Sequence, residues 1–206
     1  MMKLVRECAD DPFGKSPRQL RQHLPRLARP SSILRLVANE LNALLDRLDT
    51  VACVITSVGP TGCLATYVTP CSIHPPRFMV FTSHENLTHE AVERSGVLAV
   101  HPLTEGQEAW VERFGLQSGR TADKFAGVDW ELGETGAPLL ADALGFVEGT
   151  VAASLDCGDH TARLVEPVRA RLRDEGAVPL PASAGYARGL DEPRARSVFP
   201  WPPAST

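Results

Sequence analysis

Residues 62–90 read GCLATYVTPCSIHPPRFMVFTSHENLTHE, and the way this stretch divides sets the fold. Cys63 to Thr69 is short, β-branched and aromatic, and Gly59-Pro60-Thr61-Gly62 stands before it. That combination predicts a strand. Pro75-Pro76 cannot continue a ladder, so the strand is expected to end between Ser72 and His74. Arg77 to Ser83 is again β-rich, through Phe78, Val80 and Phe81. The polar run Ser83-His84-Glu85-Asn86-Leu87-Thr88 then opens a helix, His89 to Ser95, which Gly96 stops as a C-cap. A helix start supplied with Ser, Asn and Thr suits an anion, because unpaired N–H groups and the helix dipole point there. The simpler alternative is that Asn86 or Thr88 only caps the helix.

Composition narrows the classes. The chain has 206 residues, 43% of them hydrophobic, enough for one sizeable core. A net charge of −4 gives no reason to expect nucleic acid or an anionic membrane as partner. No apolar run approaches the roughly 20 residues that span a bilayer, and residues 1–15 lack the apolar centre of a secretory signal. Five cysteines (Cys8, Cys53, Cys63, Cys71, Cys157) form no C-x-x-C pair. Reduced thiols and a cytoplasmic location are expected.

The chain falls into three parts: an arm with an amphipathic helix (1–48), a β domain (49–175) and an extended C-terminal tail (176–206). The arm carries prolines at 12, 17, 25 and 30 and an excess of Lys and Arg, a solvated face or a surface that lies on a second subunit. Ile33, Val37, Leu41, Leu44, Leu45 and Leu48 recur at helical spacing. Val51 to Val58 is apolar at nearly every position, as in a strand buried on both faces. Val97 to Leu103 reads as a strand. Thr104 and Gln107 form a capping box opening a helix with Trp110, Val111 and Phe114 inward, closed by Gly115. Leu116 to Gly136 is a long loop, a length associated with function. Gly145 to Leu155 and His160 to Arg173 are two more strands joined by a turn at Asp156-Cys157-Gly158-Asp159. The tail is expected to run over the surface as coil. Five or six strands in hairpin order, with helices inserted rather than alternating, predict a mainly β, antiparallel barrel or sandwich.

Familiar catalytic fingerprints are missing. There is no G-x-G-x-x-G, no G-x-x-x-x-G-K-[ST] and no G-x-S-x-G. The six histidines (23, 74, 84, 89, 101, 160) are scattered without metal-ligand spacing, so no metal is expected. Cys63 and Cys71 fall in strand and read as small core residues.

From about Val51 to Arg173 the chain resembles the flavin reductase-like family, FMN-binding split β-barrels. The resemblance lies in Gly62 through Pro76, Ser83 to His89, Asp123-Lys124-Phe125-Ala126-Gly127-Val128-Asp129-Trp130, Gly136-Ala137-Pro138-Leu139-Leu140 and Gly158-Asp159-His160, in that order. It implies a Greek-key-like barrel, a homodimer and FMN, or FAD in its place, in a groove at the subunit interface. Thr66, Tyr67, Val68, Thr69 and Ser72 match the residues along the isoalloxazine. Ser83, Asn86 and Thr88 match the phosphate contacts, with Lys124 and Phe125 nearby. Asp159 and His160 match the hairpin beside the nicotinamide, with His160 the catalytic candidate. The implied activity is hydride transfer from NAD(P)H to flavin, supplying a monooxygenase component. Leu64, Tyr67 and Pro70 depart from the family's strand, and His84 and Leu87 stand where its loop often has arginine. Two other readings stay open: a split barrel acting directly on a small-molecule substrate, and a non-catalytic binding subunit.

Overall fold

The computed structural model of the protein describes residues 48 and 50–183. The arm, most of the amphipathic helix and residues 184–206 lie outside the described residues. Seven strands form one antiparallel sheet in the order β2-β1-β5-β8-β9-β4-β3. Their ranges are β1 Cys53–Ser57, β2 Thr61–Ala65, β3 Val68–Ser72, β4 Arg77–Ser83, β5 Val97–Pro102, β8 Gly145–Asp156 and β9 His160–Leu172. A separate hairpin pairs β6 (Trp130–Leu132) with β7 (Pro138–Leu140).

The two edge strands are neighbours in the chain. Only Thr66 and Tyr67 separate β2 from β3, and three Cα steps reach at most about 11 Å. A flat seven-stranded sheet would hold those edges about 29 Å apart. The sheet therefore curls until its edges nearly meet, and because β2 and β3 are not paired to each other, the barrel is split. The expected single strand from Cys63 to Thr69 is thus two strands broken at Thr66-Tyr67. Pro70 is tolerated because β3 is an edge, and the register against β4 shifts between Pro70 and Ser72.

The inside of the barrel is filled by Ile55, Cys63, Ala65, Phe78, Val80, Leu98, Val100 and Val165, with Val92 of helix α1 (Leu87–Ser95) packed among them. The alternate residues of β1, with Ala52 before them, face a second cluster of Leu103, Val111, Phe114, Phe125, Leu140 and Leu180. Strand β1 is buried on both faces for that reason. Gly96 ends α1 in the left-handed region (φ 68°), with its N–H on Val92 O at 2.8 Å. Cys71 is exposed on β3, contrary to its expected place in the core, whereas Cys63 is buried.

The capping box is half realised. The Gln107 side chain accepts from the Thr104 N–H at 2.8 Å, but the helix α2 starts later, at Glu108, and ends at Val111. A π-helical turn, Glu112–Leu116, continues it past the expected stop at Gly115. The long loop holds the short strand β6 and so is not wholly irregular. Past β9 the chain does not become surface coil at once. Leu180 bonds Ala52 N through its carbonyl (2.9 Å) and Leu103 O through its amide (2.8 Å), and its side chain is 1% exposed.

Two expectations follow. Leu180→Ala leaves a cavity in the second cluster and should cost about 2–5 kcal/mol in urea unfolding. His101 is fully buried on β5, its Nδ1–H donates to Val54 O, and burial holds its pKa down at about 4. An unfolded imidazole protonates near pH 6.5. Between those values the unfolded state binds more protons, so stability falls as pH drops from about 6.5 to 4, by about 3 kcal/mol in all. His101→Gln should flatten that slope; an unchanged pH dependence of the urea midpoint would contradict this origin.

Candidate functional site

One end of the barrel gathers the chemistry. Strand β4 ends at Ser83, which lies in register with His160 at the start of β9. The chain then turns through His84 and Glu85 into α1. The turn is closed by Asn86 N–H to Ser83 O (3.1 Å), and the His84 N–H reaches across to Asp159 O at 3.0 Å. The β8–β9 hairpin is thereby fastened to the loop before α1. Its tip is shaped by Gly158 (φ 114°) and by the Gly158 N–H to Asp156 Oδ1 bond of 2.9 Å.

Asn86 occupies the N-cap of α1 in extended conformation (φ −82°, ψ 133°), but its side chain makes no capping bond. The simple-cap alternative therefore does not describe it. The His89 N–H is taken by Asn86 O at 3.0 Å, while Leu87 and Thr88, whose N–H groups a helix start leaves without an intrahelical partner, line a cleft of about 400 Å³. Its walls are the turn Gly59–Gly62, residues Glu85 to Thr88 and the loop segments Leu116–Gly119 and Ala122–Phe125. Four expected site residues from two distant segments thus meet: Asn86, Thr88, Lys124 and Phe125. Thr88 and Lys124 are buried, 1% and 6% exposed. Lys124 Nζ donates to Phe114 O at 2.9 Å, which leaves two ammonium protons for another acceptor. Burial presses its pKa down and the nearby Cys63 opposes that. The Cys63 thiol is pushed up by burial, with a Thr88 hydrogen bond and Lys124 acting the other way; it stays protonated, a packing residue and not a nucleophile.

Ser83 borders this arrangement without lining the cleft; its hydroxyl accepts from the Glu85 N–H at 3.4 Å. Thr66 is buried between β2 and β3. Tyr67 accepts from the Phe81 N–H at 3.2 Å and sets its ring edge-on to Phe81, with centroids 6.1 Å apart. Phe81 is two residues before Ser83, so β3 begins at the same end of the barrel as the cleft. Val68, Thr69 and Ser72 then run away from it along β4. His160 is partly buried, with Nδ1 on Asp159 Oδ1 at 2.9 Å. That bond is the main reason the Asp159 carboxyl lies below its usual range.

Sequence reasoning missed the cleft's second wall and one packing demand. A Cβ on Gly62 would sit 2.8 Å from the Phe114 ring and 3.3 Å from that of Phe125. The only available signal was Gly-Pro-Thr-Gly, which reads as a turn and nothing more. The loop wall is tied to α1 by an ion pair between Arg120 and Glu90. A third feature was also out of reach: buried Arg163 meets the half-buried His89, which packs on the exposed His84.

Fold and site together define a split β-barrel with a cleft at a helix start, beside an exposed edge strand. The chain belongs to the flavin reductase-like family, whose Flavin reductase like domain matches residues 45–189, more than half of its length. It is 34% identical over 121 residues to the flavin-dependent monooxygenase reductase subunit HsaB of Mycobacterium tuberculosis, an alignment covering 57% of this chain and 63% of that relative. It therefore spans less than two thirds of that relative's length. It is 30% identical to the FMN reductase (NADH) RutF of Pseudomonas syringae, over 72% of this chain and 86% of RutF. Among solved structures it is similar to the NADH:FAD oxidoreductase SgcE6 of Streptomyces globisporus, with a TM-score of 0.66 and 30% identity, covering 72% of this chain and 89% of that one. No helix among the described residues is long and apolar enough to cross a membrane.

Gly62→Ala should destabilise the protein by about 1–3 kcal/mol, since the rings it meets are themselves buried. A shift in the urea midpoint worth less than about 0.5 kcal/mol would mean that Phe114 and Phe125 yield freely.

Proposed function

We propose that the chain is a flavin reductase that moves a hydride from NAD(P)H to FMN, or to FAD in its place, and passes reduced flavin to a monooxygenase component. The observation that carries this reading is the meeting of Asn86 and Thr88 with Lys124 and Phe125 on one cleft at an uncapped helix start. The residues fit a flavin's phosphate end. Backbone donors and a buried ammonium with two free protons suit a phosphate. The ring end would lie along Thr66, Tyr67, Val68, Thr69 and Ser72 of the neighbouring edge. When bound, a flavin supplies the hydride-accepting chemistry.

The chain's own residues bind, orient and position. Thr88, Asn86 and Lys124 hold the anionic tail and so fix how far the ring extends along β3. His160 stands beside Ser83 with its imidazole oriented by Asp159, and there it orients the nicotinamide against the flavin ring. Such positioning is worth up to about a hundredfold in rate where a misplacement approaches 1 Å. The protein works as a cytoplasmic homodimer. Supporting this, the outer face of β4, β9 and β8 carries Met79, Phe81, Leu164, Ala153 and Leu155, and Ile73 and Val168 are exposed. Apolar strips of that kind mark interfaces.

Titration of the purified protein with FMN and FAD, followed by stopped-flow reduction with NADH and NADPH, tests the reading. Binding without nicotinamide oxidation leaves a binding subunit. His160→Ala should slow single-turnover flavin reduction by roughly tenfold to a hundredfold and change the flavin Kd by less than about threefold. Equal reduction rates would remove His160 from the mechanism.

A further inference from the structure

His89 lies outside every role assigned so far, yet it joins the elements on which the site depends. It is the third residue of α1. Its Nδ1 lies 3.2 Å from Thr82 Oγ1 and 3.2 Å from Arg163 Nη2. A guanidinium can only donate, so Nδ1 is the acceptor, and the ring is neutral with its proton on Nε2. Arg163 is an interior residue of β9, 2% exposed. It is held by Glu93 Oε1 at 2.6 Å and by Ser154 Oγ at 3.0 Å, while its Nε has no partner. Against the other side of His89 lies the ring of His84, with centroids 4.8 Å apart. His84 in turn bonds Thr161 Oγ1 through Nε2 (2.9 Å) and Asp159 O through its backbone N–H (3.0 Å). A continuous path therefore runs from buried Arg163 through His89 and His84 to the hairpin that carries His160.

We propose that His89 is a positioning residue: as a neutral imidazole docked on Arg163 it backs His84 and holds the loop Ser83–Asn86 against the hairpin Asp156–His160, and its protonation releases that contact. The role in flavin binding rests on the function proposed above; the contact itself does not. The charges around the ring decide the sign. Arg163 from β9 and His84 from the loop oppose a proton on His89, Glu93 one turn along α1 favours it, and Asp159 of the hairpin faces His84 beyond. Protonation would turn the Nδ1 acceptor into a donor aimed at a guanidinium 3.2 Å away. Thr82 cannot offset that, because the cation sits beside a buried one. Partial burial, with the Arg163 and His84 charges after it, keeps the His89 pKa below its ordinary value. The contact is accordingly whole at neutral pH and weakens in mild acid.

The test uses the full chain and the variants His89→Gln and His89→Ala. Glutamine offers Arg163 an acceptor oxygen that does not titrate. Hydrogen exchange of the His84 amide, corrected for its intrinsic rate, reads the loop–hairpin contact without any flavin. Wild type should lose protection by about tenfold per pH unit once His89 titrates. His89→Gln should lack that acid dependence, and His89→Ala should be poorly protected throughout. FMN affinity, followed by quenching of flavin fluorescence from pH 7.5 to 5, should weaken more steeply in wild type than in His89→Gln, which also corrects for the titration of the FMN phosphate. Protection in wild type that persists at pH 5, or that falls equally in His89→Gln, overturns the proposal. Exchange that behaves as expected in a protein that binds no FMN at any pH keeps the contact and overturns the flavin reading. A His89→Ala protein that fails to fold leaves the comparison of wild type with His89→Gln to decide.

Discussion

A connector of two residues dictates the architecture. Thr66 and Tyr67 join strands that stand at opposite ends of a seven-stranded order, so the sheet has no choice but to curl. Curling creates an inside, which Ile55, Val80, Leu98, Val100 and Val165 fill with Val92 of α1. The same closure stays incomplete because the two edges are not paired. An exposed edge, β3, is left beside the end of the barrel where β4 gives way to α1. The edge and the cleft are therefore two consequences of one short link.

The site end is organised by backbone and buried polar groups more than by exposed side chains. Asn86 leaves the first turn of α1 without a side-chain cap, and Leu87 and Thr88 of that turn line the cleft. Lys124 comes up from the long loop with one proton committed to Phe114 O. Gly62 is small because two aromatic rings already occupy the space a Cβ would need. Behind the loop, Arg163 is buried with a carboxylate, a hydroxyl and an imidazole as partners. A buried cation is costly unless paired, which makes that cluster a fixed reference against which the loop and the hairpin are set.

Elsewhere in the barrel, buried charge serves only to pin loops. Glu148 on β8 has no exposed surface and accepts from the Glu134 and Thr135 N–H groups and the Thr135 hydroxyl. It holds the turn between β6 and β7 in place. The arginines at the far end of β9 pack on Phe146, with Arg169 and Arg173 each within 5.3 Å of the ring centre. Neither group approaches the cleft's lining.

Local pattern determined a good deal. The alternation in Arg77–Ser83, the apolar run Val51–Val58, of which Cys53–Ser57 is strand, the Gly96 stop and the Asp156–Asp159 turn all depend on near neighbours in the chain. The helix after Ser83 is legible in its existence and its stop, but it starts at Leu87, two residues before the expected His89, and takes Thr88 into its first turn. What only the tertiary structure decided depends on contacts between residues far apart. The break at Thr66-Tyr67, the exposure of Cys71, the docking of Leu180 on β1 and the meeting of His89 with Arg163 arise from the curvature and register of a closed sheet. Hydrophobic periodicity says which face of a strand is buried, but not which distant side chain waits on that face.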